Sequence, residues 1–399
     1  MIITISIIFD KPAHLRIMVS ANLYGPLELL IIQGSPFCNI NCSYCYLPNR
    51  NDISKLSLTT IDAIFSNLFS TDIVRQDFTI CWHAGEPLTV NKDFYRKAIA
   101  IANSKNNTNY QIRNNVQTNA TLINQEWCDF FKELDFKVSV SIDGPEFIND
   151  RCRVNRKGQG TFAKTMKGIE YLKKNDIEFS VITVVTDFTL DYADDFFAFF
   201  KSLNPLSVGL NVEEIENFNV ASTLFESENV FRRYHDFIGR LFELYYSDLS
   251  IDFYFREFAQ LENFVFKKDK FMTGFGQQTV PYRIISVDVN GDFSTFSPEL
   301  LNAKSKEHNN FAFGNVKHDN FLEVLASEKF KSIYTDILNG LMKCKKNCDY
   351  FSVCGGGTPS NKYAENGTFD STETKHCKFK FQEVFDVFFE NIEYEVLNR

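Results

Sequence analysis

Phe37-Cys-Asn-Ile-Asn-Cys-Ser-Tyr-Cys-Tyr46 sets Cys38, Cys42 and Cys45 at a C-x3-C-x2-C spacing, just after an apolar strand-like run from Leu29 to Gln33. Three thiolates on one tight loop can hold three irons of a cubic [4Fe–4S] cluster, which a fourth would close. The missing fourth leaves one iron open to a small ligand, as an open position does in catalytic metal sites. A zinc knuckle is the competing reading, but zinc favours four ligands in paired Cys/His spacings. No His lies between His14 and His83 to complete one.

The chain has 399 residues, 44% of them hydrophobic, enough for two domains or a barrel with an appendage. A net charge of −9 argues against a nucleic-acid groove. No apolar run reaches the roughly 18–20 residues of a membrane span. Met1–Phe9 reads as an added strand, with Met18 as the alternative start, because no basic segment precedes it. Ten cysteines in clustered spacings point to metal and a reducing, cytoplasmic compartment.

Strand-like runs at 29–33, 78–83, 109–116, 137–142, 178–185 and 206–212 alternate with helical stretches near 57–70, 92–104, 124–134, 162–174 and 190–202. Ser57 offers an N-cap to the first helix. Such βα repetition predicts a parallel α/β sheet with right-handed crossovers. The expected organisation is an N-terminal extension (1–23), a region of six βα units (24–221), a helical bridge (222–278), a second domain (279–380) and a C-terminal helix (381–399). The second domain opens on a hairpin, Ile284 to Phe293, marked by Asn290-Gly291.

Further motifs follow the strands: Cys81-Trp-His-Ala84-Gly85-Glu86-Pro87, Gln117-Thr-Asn119-Ala-Thr-Leu-Ile123, Ser139-Val-Ser141-Ile-Asp143-Gly-Pro145 and Asp150-Arg-Cys-Arg153. With the cysteine triplet and its aromatic Tyr44, they resemble the radical S-adenosylmethionine (SAM) enzymes, specifically their peptide-modifying branch, over roughly residues 24–380. The resemblance implies a TIM-like partial barrel and SAM chelating the open iron. It also implies SAM contacts from Tyr44, the Ala84-Gly85-Glu86 turn, Gln117, Asn119, Ser141 and Arg153. Ala84 stands where the family pattern has Gly. A positive φ would cost Ala roughly 1–2 kcal/mol, so an ordinary backbone is expected there.

Cys344-x3-Cys348-x5-Cys354-x22-Cys377 supplies the four thiolates a closed cluster requires, along a glycine-containing loop. Tetrahedral zinc is the alternative. The pattern resembles the SPASM extension of radical SAM maturases and implies one auxiliary [4Fe–4S] cluster. A second is not expected, because Thr358 and Phe296 stand where its ligands belong. Cys81, Cys128 and Cys152 read as packing residues, although Arg151 and Arg153 flank Cys152 and could lower its pKa.

The more specific resemblance is to cyclophane-forming maturases of the GRRM (glycine-rich repeat precursor modification) type. It is carried by Asn211-Val-Glu213-Glu214-Ile-Glu216, Phe293-Ser-Thr-Phe-Ser-Pro-Glu299 and Ser360-Asn-Lys-Tyr363. It implies a precursor-peptide substrate, a flavodoxin or ferredoxin as electron donor, and Glu213, Glu214 or Glu299 as the base that takes a ring proton. Formylglycine-forming sulfatase maturation is the runner-up. That group carries an Asp where this chain has Ser297. A non-catalytic iron–sulfur peptide-binding protein is the third reading.

Overall fold

The computed structural model describes residues 24–266, 275–305 and 307–397. The 1–23 extension, the strand expected within Met1–Phe9 and the alternative start at Met18 lie outside the described residues. Strands β1 (Leu29–Ile32), β2 (Phe78–Trp82), β3 (Ile112–Thr118), β4 (Phe136–Ser141), β5 (Phe179–Val185) and β6 (Ser207–Val212) pair in chain order, each parallel to the next. Helices α1 (Leu58–Phe69), α2 (Lys92–Lys105), α3 (Gln125–Glu133), α4 (Glu146–Cys152), α5 (Phe162–Lys174) and α6 (Ala193–Leu203) fill the connections. The α/β fold is thus a parallel, partial (β/α)6 barrel.

Each strand has two unlike faces. In β2, Phe78, Ile80 and Trp82 are buried, whereas Thr79 and Cys81 between them are partly exposed. Val138 and Val140 of β4 alternate in the same way with Lys137 and Ser139. This period of two separates an apolar face under the helices from a more polar lining. Strand β3 begins three residues later than expected. Asn106 accepts the Thr108 amide and donates to the Tyr110 carbonyl, which keeps 106–110 in a turn.

The expected second domain does not begin with a break. Strands β8 (Ile284–Val287) and β9 (Asp292–Thr295) form the hairpin, and β8 pairs in parallel with β1. Gly291 turns the chain at φ 92, and Asp288 caps the turn by accepting the Asn290 and Asp292 amides. At the opposite edge β7 (Tyr254–Phe255) pairs with β6, and Gly314–Asn315 extends β9, giving ten strands in one sheet.

An aromatic layer supports one end of this sheet. Tyr95 of α2 meets Trp82 edge-on at 4.9 Å and Phe130 of α3 at 6.0 Å. Such pairs add about 0.5–1.5 kcal/mol each beyond area burial. Tyr95 also donates its hydroxyl to the Pro87 carbonyl at 2.7 Å, tying the layer to the turn after β2. Ser57 caps α1 as expected, accepting the Thr60 amide at 3.0 Å.

The cysteine-rich stretch is not the loop expected. Cys344 lies in the last turns of a helix from Glu328 to Asn347, Cys354 ends the short helix Phe351–Cys354, and Cys377 ends Lys375–Cys377. Gly355, at φ 65, stops the second of these in the left-handed cap that glycine favours. The C-terminal helix, Val384–Leu397, follows a π-helical segment over Lys378–Glu383. Phe379 of that segment packs against Phe231 at 4.6 Å and Tyr234 at 5.1 Å, on the Val230–Ser247 helix. No described helix is long and apolar enough to cross a membrane.

Candidate active site and cysteine pockets

The Cys38–Cys45 loop leaves β1 and is clamped from three sides. Its backbone pairs with the segment after α4: Asn41 donates to the Val154 carbonyl at 2.7 Å and Ser43 to that of Cys152 at 3.0 Å. Arg50 reaches the Cys42 carbonyl at 2.9 Å, and Arg156 reaches that of Cys38. Asn119 Nδ2 stands 3.8 Å from Cys38 Sγ, and Arg153 Nη1 stands 3.8 Å from Cys42 Sγ. Burial pushes the Cys38 thiol up to about 11 and the Cys42 thiol up to about 12. Both are therefore neutral at pH 7 until a metal displaces the protons. Donors aimed at the sulfurs fit a metal–thiolate centre at this loop.

Asp143, which the sequence reading passed over, organises the whole corner. Its Oδ2 accepts the Tyr44 hydroxyl at 2.5 Å, and its Oδ1 accepts the Val184 amide of β5 at 3.1 Å. Arg153 Nε lies 3.0 Å from the same Oδ1 in a buried ion pair, and the guanidinium sits 5.6 Å over the Tyr44 ring. Arg153 is thus held by the cluster loop and by β4, not free in the solvated charged loop that Asp150-Arg-Cys-Arg153 suggests by itself. Gln117 donates to Ser141 Oγ at 2.8 Å, joining the ends of β3 and β4 beside it.

The Ala84-Gly85-Glu86 turn departs from expectation. Ala84 has φ 67, followed by Gly85 at φ 101. Glycine is required at 85 by close approach as well as by φ: a Cβ there would lie 2.3 Å from the Ser35 carbonyl oxygen and 2.9 Å from that of Phe37. Glu86 then donates its amide to the Phe37 carbonyl at 2.8 Å. The Glu86 carboxylate is fully engaged. It accepts from Thr118 Oγ1 at 2.7 Å, Leu88 N at 3.0 Å and Asn119 N at 2.8 Å, locking the β2 and β3 ends together. Burial raises its pKa despite those bonds. Ala120, in the Gln117–Ile123 motif, is a second alanine in the left-handed region, at φ 60.

Glu213 and Glu214, expected to be equivalent candidates, face different partners. Glu213 accepts the Thr223 amide at 2.7 Å and the Thr223 hydroxyl, anchoring the turn into Thr223–Glu226. Glu214 instead joins Glu216 and Glu299. Asn361 Nδ2 bridges Glu214 at 2.8 Å and Glu216 at 3.0 Å, while His376 Nε2 is 3.2 Å from Glu214. Burial works against the Glu214 anion, but His376 and the Asn361 bond win and hold its pKa at about 2. Glu216 goes the other way: burial and the neighbouring Glu214 charge keep it protonated. Burial, then repulsion from Glu214, pushes Glu299 up to about 7, and its buried Oε2 has no hydrogen-bond partner among the described residues.

Two residues without a sequence signal link this carboxylate group to the cysteine triplet. Tyr46 follows Cys45 directly. Burial and then the Glu299 charge, with smaller contributions from Cys45, Glu216 and Glu214, raise its pKa. Its hydroxyl lies 3.3 Å from His83 Nε2, and burial lowers the His83 pKa to about 4. On the far side, His376 adjoins Cys377 in the chain.

Cys344, Cys348, Cys354 and Cys377 line one pocket, together with Gly356, Lys362 and Gln382. The Gly356 amide is 3.4 Å from Cys354 Sγ, the Thr374 amide 3.3 Å from Cys377 Sγ, and Lys362 Nζ 3.4 Å from Cys344 Sγ. Four thiols converging on one space, with N–H donors on three of the sulfurs, fit a thiolate-held cluster. Cys152 is not activated: burial raises its thiol pKa, contrary to the effect its flanking arginines suggest.

Residues 32–200 match the family model of the Radical SAM superfamily. An uncharacterized protein of Synechocystis sp., sll1766, is 42% identical over 91% of this chain and 92% of its own length. A cysteine-type anaerobic sulfatase-maturating enzyme of Clostridium novyi is 28% identical over 91% and 94%. Among solved structures, anSMEcpe with bound AdoMet and Cp18Cys peptide superposes with a TM-score of 0.73 at 22% identity, covering 93% of this chain and 98% of that one. Streptococcus suis SuiB bound to precursor peptide SuiA gives 0.60 at 15% identity, covering 89% and 77%. These two show a common fold. With the cysteine loop at the end of β1 and the following motifs gathered beside it, this chain belongs to the radical SAM superfamily.

Proposed function

We propose that the chain is a peptide maturase that joins an aromatic ring carbon to the β-carbon of a nearby residue in a ribosomally made precursor, forming a cyclophane. The observation that carries this reading is the carboxylate group of Glu214, Glu216 and Glu299, set between the three-cysteine loop and the four-cysteine pocket. When bound, SAM on a [4Fe–4S] cluster at Cys38, Cys42 and Cys45 supplies a hydrogen-abstracting 5′-deoxyadenosyl radical, and an auxiliary cluster at Cys344, Cys348, Cys354 and Cys377 supplies an electron sink.

The chain's own residues do the rest. Joining a ring C–H to a Cβ–H removes two hydrogens, one as an atom and one as a proton with an electron. Glu299 takes the proton, since a pKa near 7 and a free carboxylate oxygen suit a general base. Burial and the Glu214 charge set that pKa, and Glu213 positions the strand end. Tyr44, Gln117, Asn119, Ser141, Arg153 and the Ala84–Glu86 turn form the SAM-binding wall. A low-potential flavodoxin or ferredoxin delivers the starting electron.

Formylglycine formation is supported by the sulfatase-maturating relatives. Against it, Ser297 is 1% exposed and accepts the Ser360 amide, leaving no carboxylate at the position of that group's Asp. The test is to incubate reconstituted protein, SAM and reductant with a glycine-rich, aromatic-containing peptide encoded beside it. Loss of two hydrogens with fragmentation blocked between two residues supports the crosslink. An aldehyde on Ser or Cys, trapped by hydrazide, supports the alternative instead. An unmodified peptide despite SAM cleavage counts against both.

A further inference from the structure

Lys362 is a buried cation with one partner. It is 4% exposed and lines the four-cysteine pocket, and its Nζ meets Cys344 Sγ at 3.4 Å. No described carboxylate lies within ion-pairing distance of it. The Pro359–Asn366 helix fixes its backbone, with the Lys362 amide bonded to Thr358. Burying an ammonium costs several kcal/mol unless an opposite charge compensates it. A neutral thiol does not compensate it, whereas a metal-bound thiolate does. The sulfurs of Cys354 and Cys377 meet neutral donors, from Gly356, Thr374 and Gln382.

We propose that Lys362 tunes the reduction potential of the auxiliary cluster: its ammonium, fixed against the ligand Cys344, stabilises the negative charge added on reduction. This rests on the reading that the four cysteines hold a [4Fe–4S] cluster. The electron balance is simple. The crosslinked ring radical gives up one proton to a carboxylate and one electron to the oxidised cluster, restoring aromaticity. An electron carrier of the flavodoxin or ferredoxin class then reoxidises the cluster. A charge held by an ionised donor is stabilised more strongly than one held by a neutral amide, and hydrogen bonds to the sulfurs set cluster potentials. Lys362 is thus a positioning and charge-setting residue, not one that touches the peptide.

The test uses full-length protein carrying Cys38→Ala, Cys42→Ala and Cys45→Ala, reconstituted anaerobically and titrated potentiometrically by EPR. Lys362→Met should make reduction at least tenfold less favourable, a negative shift of about 59 mV or more for one electron. Lys362→Arg should stay near the parent value. An unchanged potential in Lys362→Met overturns the proposal. If Lys362→Met takes up no iron, Lys362→Gln replaces it and is read the same way. Iron lost from both neutral variants but kept in Lys362→Arg supports a required cation, and iron lost from all three overturns the proposal in favour of packing. A parent protein holding zinc in place of iron overturns the underlying cluster reading, and is recognised before any Lys362 variant is made.

Discussion

The two cysteine sites are held by different means. The Cys38–Cys45 loop hangs between strand ends and is fixed by charged side chains far away in sequence: Arg153 and Arg156 grip it, and Asp143 ties Tyr44 to β4 and β5. The four-cysteine pocket is built from helix ends, and three of its four sulfurs meet donors from the same short stretch of chain. The first arrangement puts an open metal site against a wall of polar groups, where a cofactor can be gripped. The second gathers its four thiols around one pocket. Glu299, raised to about 7, belongs to the carboxylate group with Glu214 and Glu216.

Separating the sites should have the largest effect. Cys354→Ala with Cys377→Ala is expected to abolish crosslinked product while SAM cleavage to 5′-deoxyadenosine continues, both read by mass spectrometry. Next is Glu299→Gln, expected to slow crosslinking by about 10²- to 10⁴-fold, the range of general acid–base catalysis, with SAM cleavage retained. The pH profile carries a sign. Burial and the Glu214 charge raise Glu299 to about 7, so it is protonated below that pH and cannot accept a proton. Activity should therefore rise as pH climbs through about 7, and that limb should vanish in Glu299→Gln.

The tethering of the first site predicts a stability effect. Asp143→Ala leaves the Arg153 charge buried and unpaired, which costs about 3–5 kcal/mol in denaturant unfolding. At the second site Gln382 reaches Cys377 Sγ only at 4.0 Å, and Gln382→Ala should change stability little. The smallest effect belongs to strain at the barrel mouth: Ala84→Gly and Ala120→Gly should each stabilise by up to about 1 kcal/mol, because both positions have positive φ.

The sequence made the framework legible where local pattern and tertiary environment agree. Strands β1, β2, β4, β5 and β6 fall within a residue or two of expectation because apolar alternation marks their buried faces. Strand β3 was harder, since Asn115 and Gln117 on the polar lining, and Asn114 on the other face, look like loop residues. Cys344, Cys348, Cys354 and Cys377, grouped in expectation by spacing, line one pocket. Their neighbours were less legible. Asp143, Tyr46 and His83 act through contacts across wide sequence separation, which spacing does not encode. The close approach that requires glycine at 85 was equally hidden, because it comes from backbone atoms of residues 35–37 and not from the turn's own neighbours. Glu213 and Glu214 are adjacent in sequence but face different partners.

The most direct test of two unlike cluster sites is an iron and sulfide count on anaerobically reconstituted protein. The Cys38→Ala, Cys42→Ala, Cys45→Ala variant is measured beside it. The account predicts about eight irons in the parent and about four in the variant, one cubic cluster remaining. About four irons in the parent with tightly bound zinc, and none in the variant, would contradict it.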